Sequence, residues 1–351
     1  MNLFRTLITV AVVCLASWTA MAQENALWMR YPAISPDGKT IAFNYKGDVY
    51  LVGSEGGRAT QLTTNPAYDG YPVWSPDSKT IAFASDRAGS MDVYTVPVTG
   101  GSPTRLTWNS ASETPVAFTP DGKKILYRAN FLPDAQYTQF PSGSQIYAVS
   151  VKGGRPEQFL TFDVYDIQFN KAGDKIIYHD YKGYEDNWRK HHTSSVTRDI
   201  WLHDLKTGKF TNITDKEVED RSPVFSDDEQ SIYFLSERFG DFNVCKLALN
   251  NPTEVKQITK HSKHPVRFLS KANDGTLCYF FNGEIYTLKD GQQPKKLNIQ
   301  VVTDQLEAES RLNNLPYGAR EMALSPNGKE VAFIVRGDVF VTSVEYPTTK
   351  R

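Results

Sequence analysis

Cysteine is nearly absent: three residues in 351. Cys14 lies in the leader described below, which leaves Cys245 and Cys278. Both sit in apolar, strand-like runs, Asn243-Val244-Cys245-Lys246-Leu247 and Thr276-Leu277-Cys278-Tyr279-Phe280. Two buried free thiols are expected, and a fold built on disulfides is excluded. Charge of one sign is also missing. A formal net charge of −1 leaves no general electrostatic footprint for nucleic acid. Beyond the first residues no apolar run is long enough to span a bilayer. Amphipathic helical periodicity is missing, as is a nucleophile-elbow motif.

The first residues form a secretory leader. Met1 to Arg5 is a positive n-region, Leu7 to Leu15 an apolar core, and Ala20-Met21-Ala22 a small-x-small cleavage site. The sequence therefore predicts a signal peptide over 1–22, cleavage after Ala22, a periplasmic or secreted product and no membrane association afterwards.

What the chain has in abundance is one repeated unit. A turn recurs as Ser35-Pro36-Asp37-Gly38, Ser75-Pro76-Asp77-Ser78, Thr119-Pro120-Asp121-Gly122, Lys171-Ala172-Gly173-Asp174, Ser226-Asp227-Asp228-Glu229, Ala272-Asn273-Asp274-Gly275 and Ser325-Pro326-Asn327-Gly328. Proline pre-sets φ for such a reversal, and Asp, Asn and Gly tolerate its tight geometry. Short β-branched and aromatic runs flank each turn, such as Thr80-Ile81-Ala82-Phe83 and Asp92-Val93-Tyr94-Thr95-Val96. A fourth run closes most units, as in Gln61-Leu62-Thr63 and Arg105-Leu106-Thr107. Four short antiparallel strands per unit, without helices between them, predict an all-β propeller of stacked blades. The turns are read as hairpins and not as metal sites, since no second carboxylate cluster accompanies them.

These units resemble the TolB-type propeller repeat, through "SPDGKTIAF", "DVYLV" and "RLT". A more specific resemblance rests on "GYEDNWRKHHTSSVTRDIW", "HPVRFLSKANDGTLCY" and "SPNGKEVAFIVRGDVFVTSVEY". The chain is similar here to the N-terminal region of exported bacterial tricorn-like serine peptidases. The resemblance implies a six-bladed propeller over 23–299, a linker over 300–320, and an incomplete first blade of a second propeller over 321–351. It also implies partners: peptides or protein segments, together with a C-terminal propeller, PDZ module and protease core. Because the family keeps its catalytic Ser and His in that core, no catalytic residue transfers, and the chain alone is expected to be inactive. The reading calls for no cofactor and no metal. An alternative is a single seven-bladed ring in which Asn25 to Arg30 supplies an outer strand. A stand-alone periplasmic protein-binding propeller is the alternative function.

Candidate peptide-contacting residues fall in two groups. Two long insertions between second and third strands stand side by side: Asn130 to Pro141, and Tyr184 to Arg198. The second carries Trp188, Arg189, His191, His192 and Arg198. Its Ser194, Ser195 and Asp199 invite a triad reading, which fails because one loop rarely supplies both an oriented base and an oxyanion site. The second group precedes successive first strands: Asp69, Glu113, Asp163, Glu219 and Asp220, followed by Lys263 and His264. These are expected to ring the channel mouth as surface charge or as a polar collar for a charged chain terminus.

Overall fold

The computed structural model describes residues 26–130, 143–183, 194–214, 218–302, 318–335, 338–346 and 349–350. Six sheets form successive blades, I to VI, spanning 30–61, 69–105, 113–160, 164–212, 220–257 and 267–296. In each, the four strands follow chain order and pair antiparallel. The first strand of every blade is the innermost: Arg30–Ile34, Asp69–Trp74, Glu113–Phe118, Val164–Phe169, Asp220–Phe225 and Arg267–Lys271. Each touches the corresponding strand of the next blade, and that of blade VI touches that of blade I, so the ring closes.

The repeated sequence turn explains itself. Ser35 Oγ donates to Asp37 Oδ1 at 2.5 Å and accepts the Thr40 N–H at 3.0 Å, while Asp37 Oδ1 also accepts the Lys39 N–H at 3.1 Å. The same bonds recur at Ser75/Asp77, Thr119/Asp121 and Ser226/Asp228. The carboxylate therefore binds the hairpin's own backbone, a local side-chain turn. The closing Leu-Thr or Ile-Thr has an equally local reason. Thr63, Thr107, Thr214 and Thr259 hydroxyls accept the N–H of Val49, Val93, Ile200 and Val244 at 2.8–3.0 Å, where the third strand begins. A buried N–H there would otherwise lack its partner.

Apolar side chains fill the seams between blades. Phe43, Tyr50, Cys278, Ile285, Leu297 and Ile299 form one cluster across I and VI, and Val93, Tyr127 and Tyr147 belong to another across II and III. Cys245 and Cys278 are buried free thiols, as the sequence predicts, and burial pushes the Cys245 thiol up to about 12.

The seam of blades VI and I carries a clasp. Ile299–Val301 adds a fifth strand, parallel to the outer strand Gly57–Gln61 of blade I. The stretch expected as linker from Gln300 thus opens as strand. Gly57 N–H donates to Asn298 O at 2.8 Å. Gly56 has φ +92° and its absent Cβ would stand 2.7 Å from that same oxygen, so the clasp needs glycine there. Arg30 belongs to the inner strand of blade I, not to the outer strand that a seven-bladed ring would require.

A separate sheet follows, with strands Arg320–Leu324, Glu330–Val335, Asp338–Ser343 and Thr349–Lys350. The unit expected to stop at three strands near Tyr346 therefore has a short fourth. Among the described residues its strands pair only with one another, and Met322, Leu324, Val339, Val344 and Tyr346 are exposed. Among the described residues, no helix is long and apolar enough to cross a membrane.

Candidate functional site

The inner strands share a distortion. Near its start the pairing register of the inner strand breaks at a β-bulge in blades I, II, IV, V and VI, between Arg30/Ala33, Gly70/Val73, Tyr165/Gln168, Arg221/Val224 and Arg267/Ser270. At the bulge a non-glycine residue takes a left-handed φ of 49–57°: Tyr31, Tyr71, Asp166, Ser222 and Phe268. Blade III has Pro115 at this place, beside its own register shift. Left-handed backbone costs an ordinary residue about 1–2 kcal/mol, and its repetition marks a built feature.

These bulge residues meet across the ring. The Tyr31 ring lies 4.4 Å from that of Tyr71 and 4.6 Å from that of Phe268, which joins blades VI, I and II in one aromatic arc. Across blades IV and V, Ser222 Oγ donates to Asp166 Oδ2 at 2.6 Å. Contacts between equivalent innermost positions of neighbouring blades place this layer around the channel axis. Asp166 keeps 52% of its side chain open there, although protein surrounds it. Behind it, the Ser222 N–H donates to His179 Nδ1 at 3.3 Å. His179 stacks on Tyr165, with ring centroids 5.4 Å apart. Burial, then Arg198, Arg221 and Arg128, hold His179 well below the usual imidazole range, so it is neutral. Ser, His and Asp meet here, yet the serine proton is directed to the carboxylate and not to the imidazole. That is not the geometry of an activated nucleophile.

The acids expected at the mouth are instead withdrawn into the seams. Asp69, Glu113, Asp163, Glu219 and Asp220 are all buried. Asp69 receives Arg87 Nη2 at 2.7 Å, Asp163 receives Arg128 in a two-point contact at 2.6 and 2.7 Å, and Asp220 receives Arg238 Nη2 at 2.6 Å. Glu219 accepts from Arg198 Nη1 at 2.6 Å and from Arg221 Nε. Burial alone would raise Glu219, but Arg221 and Arg198 outweigh it and hold its carboxyl below the ordinary value. Arg198 is itself buried, so it is not the exposed peptide contact that the sequence predicts. Asp199 is likewise committed, to Lys182 Nζ at 2.5 Å. Lys263 and His264 are exposed. Trp188, Arg189, His191 and His192 lie outside the described residues.

The seams hold what sequence reading passed over. Ser85-Asp86-Arg87 and Ser236-Glu237-Arg238 follow the second strands of blades II and V in the same register. In each, the arginine Nε donates to the serine hydroxyl and its Nη2 reaches the acid that opens the blade. Recurrence of Ser-acid-Arg after a β-run was the available signal.

One seam predicts a pH effect. Glu113 of blade III titrates at about 7, raised first by burial and also by Asp92 of blade II. Arg105 Nη2 stands 2.9 Å from Asp92. A carboxyl titrating near 7 when folded and 4.5 when unfolded binds its proton only in the fold across that window. Stability should therefore fall as pH rises from 4.5 to 7, by about 2–3 kcal/mol. Glu113→Gln should remove that loss, seen by urea unfolding at pH 5 and pH 8. Equal pH dependence in both proteins would contradict it.

Six closed blades of four antiparallel strands around a channel define a β-propeller. Residues 26–294 match the tricorn protease N-terminal β-propeller domain, and the chain belongs to that family. Among solved structures it is similar to the tricorn protease, at 20% identity and TM-score 0.67, over 91% of this chain and 30% of that one. It is similar to TolB from Acinetobacter baumannii, at 19% identity and TM-score 0.53, over 69% of this chain and 56% of that one. A puromycin-hydrolysing peptidase of Mycobacterium tuberculosis gives 12% identity and TM-score 0.52, over 93% of this chain and 53% of that one. These likenesses show the fold, and the chain spans 30% of the length of the tricorn protease it matches. No curated protein matches the sequence.

Proposed function

We propose that this chain is the propeller portion of an exported tricorn-like serine peptidase, a non-catalytic module that binds or guides peptides for a protease core. Family membership supports the module. The observation that carries the peptide role is the channel wall, where an aromatic arc (Tyr31, Tyr71, Phe268) and a polar pair (Asp166, Ser222) share one layer. Such a wall meets both the side chains and the polar backbone of an extended peptide. Surface charge is balanced, which does not favour an anionic polymer.

The test is fluorescence anisotropy of labelled unstructured decapeptides against the full chain, with a parallel hydrolysis assay. Binding without turnover is expected. Phe268→Ala should weaken it about tenfold or more, since a buried aromatic contact contributes about 1.5–3 kcal/mol. Unchanged affinity in that variant, with the fold intact, would move peptide binding away from the channel. Capture of a folded protein but of no peptide would favour a protein-binding propeller.

A further inference from the structure

The layer of bulge residues carries one carboxyl side chain, Asp166, which burial raises above the ordinary carboxylate range while the Ser222 hydrogen bond, Arg221 and Arg198 oppose the rise. Its members are Tyr31, Tyr71, Pro115, Asp166, Ser222 and Phe268. We propose that this layer is a binding site for the free amino terminus of a peptide whose first residue is apolar, with Asp166 taking the ammonium group and the aromatic arc taking the side chain. The proposal rests on the channel reading above and specifies what the channel holds.

Exposure decides which charge a ligand meets. Arginines stand close by, but Arg198 and Arg221 show only 2% and 11% of their side chains and both bind Glu219, while Arg128, at 27%, is held by Asp163 in its two-point contact. Asp166 shows 52%. Between blades IV and V, a group entering the channel therefore meets the Asp166 carboxyl before the guanidinium groups of Arg198 and Arg221. The carboxylate is also fixed in place. Ser222 holds Oδ2 through its hydroxyl, and the Ser222 N–H is itself tied to His179. This prepaid order matters because a site that needs no rearrangement loses less free energy on binding.

The same contacts select the ligand. A divalent metal would need several oxygen or nitrogen donors. His179 cannot lend Nδ1, which accepts the Ser222 N–H. No group of three metal-ligating side chains occurs among the described residues. A primary ammonium needs one well-placed carboxylate and tolerates aromatic faces beside it. Asp166 stands on blade IV and the arc's ends, Tyr71 and Phe268, on blades II and VI, so a side chain following a terminus held at Asp166 crosses the channel to reach the arc. A chain terminus presents charge and side chain within a single residue, whereas an internal lysine carries its ammonium away from the backbone on a long stem.

The full chain is titrated at pH 7 with three peptides bearing a C-terminal dye: Phe-Ala-Ala-Ala-Gly, its N-acetyl form, and an N-acetyl form with lysine at the third position. The free amine should bind about tenfold tighter than either acetylated peptide, as one charge-assisted contact predicts. Asp166→Asn keeps the shape, and asparagine accepts left-handed backbone readily, so its fold should persist. In that variant the preference should vanish while binding of the acetylated peptide is unchanged. Phe268→Leu should weaken all three together. Equal binding of free and acetylated peptide, or a preference that survives Asp166→Asn, overturns this inference alone. Equal binding of the free amine and the lysine peptide overturns its assignment to the chain terminus. Binding of none of the three overturns this inference together with the channel reading.

Discussion

Arg198→Ala should destabilise the ring by about 3–5 kcal/mol, the usual cost of breaking a buried ion pair from one side. Arg198 is 2% exposed and its partner Glu219 fully buried, with Nη1 and Oε1 2.6 Å apart. The two residues belong to adjacent blades, IV and V, so the pair spans a seam. Removing the guanidinium leaves Glu219 in a low-dielectric seam with Arg221 as its remaining guanidinium partner on the same strand. Arg198 also stands over the Tyr165 ring at 5.8 Å, so packing is lost with the charge.

A second variant separates pair from charge. Arg198→Met with Glu219→Gln removes both charges and keeps most of the volume, and should recover more than half of the loss. The pH dependence has a sign. Arg198 and Arg221 lower the carboxyl of Glu219 below its ordinary value. Its contribution is therefore present above the unfolded value and is lost as pH falls through the folded one. Arg198→Ala should flatten that acid limb of the stability profile. Urea unfolding at pH 3 to 7 measures both effects. A loss under 1 kcal/mol would mean that Arg198 behaves as the exposed loop cation that sequence alone describes.

That contrast shows where sequence reading stops. Ser35-Pro36-Asp37-Gly38 was legible because every bond it makes falls within the turn itself, from Ser35 to Thr40. The buried thiols were legible from the apolar alternation around them. The seam acids were not. Asp69 opens an inner strand and Glu219 lies just before one, and their burial depends on Arg87 and Arg198 arriving from other strands. The bulge residues carry no local mark either. Tyr31-Pro32 and Tyr71-Pro72 read as strand, yet each tyrosine takes a left-handed φ at its bulge. The clasp is the extreme case. Ile299-Gln300-Val301 pairs with Gly57-Arg58-Ala59 at the other end of the propeller, and nothing local announces the partner.

The clasp yields the other large effect. A variant chain ending at Val302 should melt within a few degrees of the full chain, whereas one ending at Asn298 should lose about 10 °C or more. The reason is additive. Three ladder residues, Ile299, Gln300 and Val301, pair with blade I, and each hydrogen bond contributes about 1 kcal/mol. Ile299 is 2% exposed and packs with Leu297, Cys278 and Ile285 in the VI–I seam, a burial worth about 1.5–3 kcal/mol. Losing both should cost about 4–6 kcal/mol. Losing the final sheet should cost the ring little, because among the described residues its strands pair only with one another. The shorter loss should even help solubility. Met322 is 75% exposed and Leu324 64%, apolar surface that invites association. Light scattering on heating should fall once those strands are removed. A seven-bladed ring makes the opposite forecast, since a chain ending at Val302 would then lack a blade and collapse. Equal melting of the two shortened chains would show instead that Ile299–Val301 does not hold the ring closed.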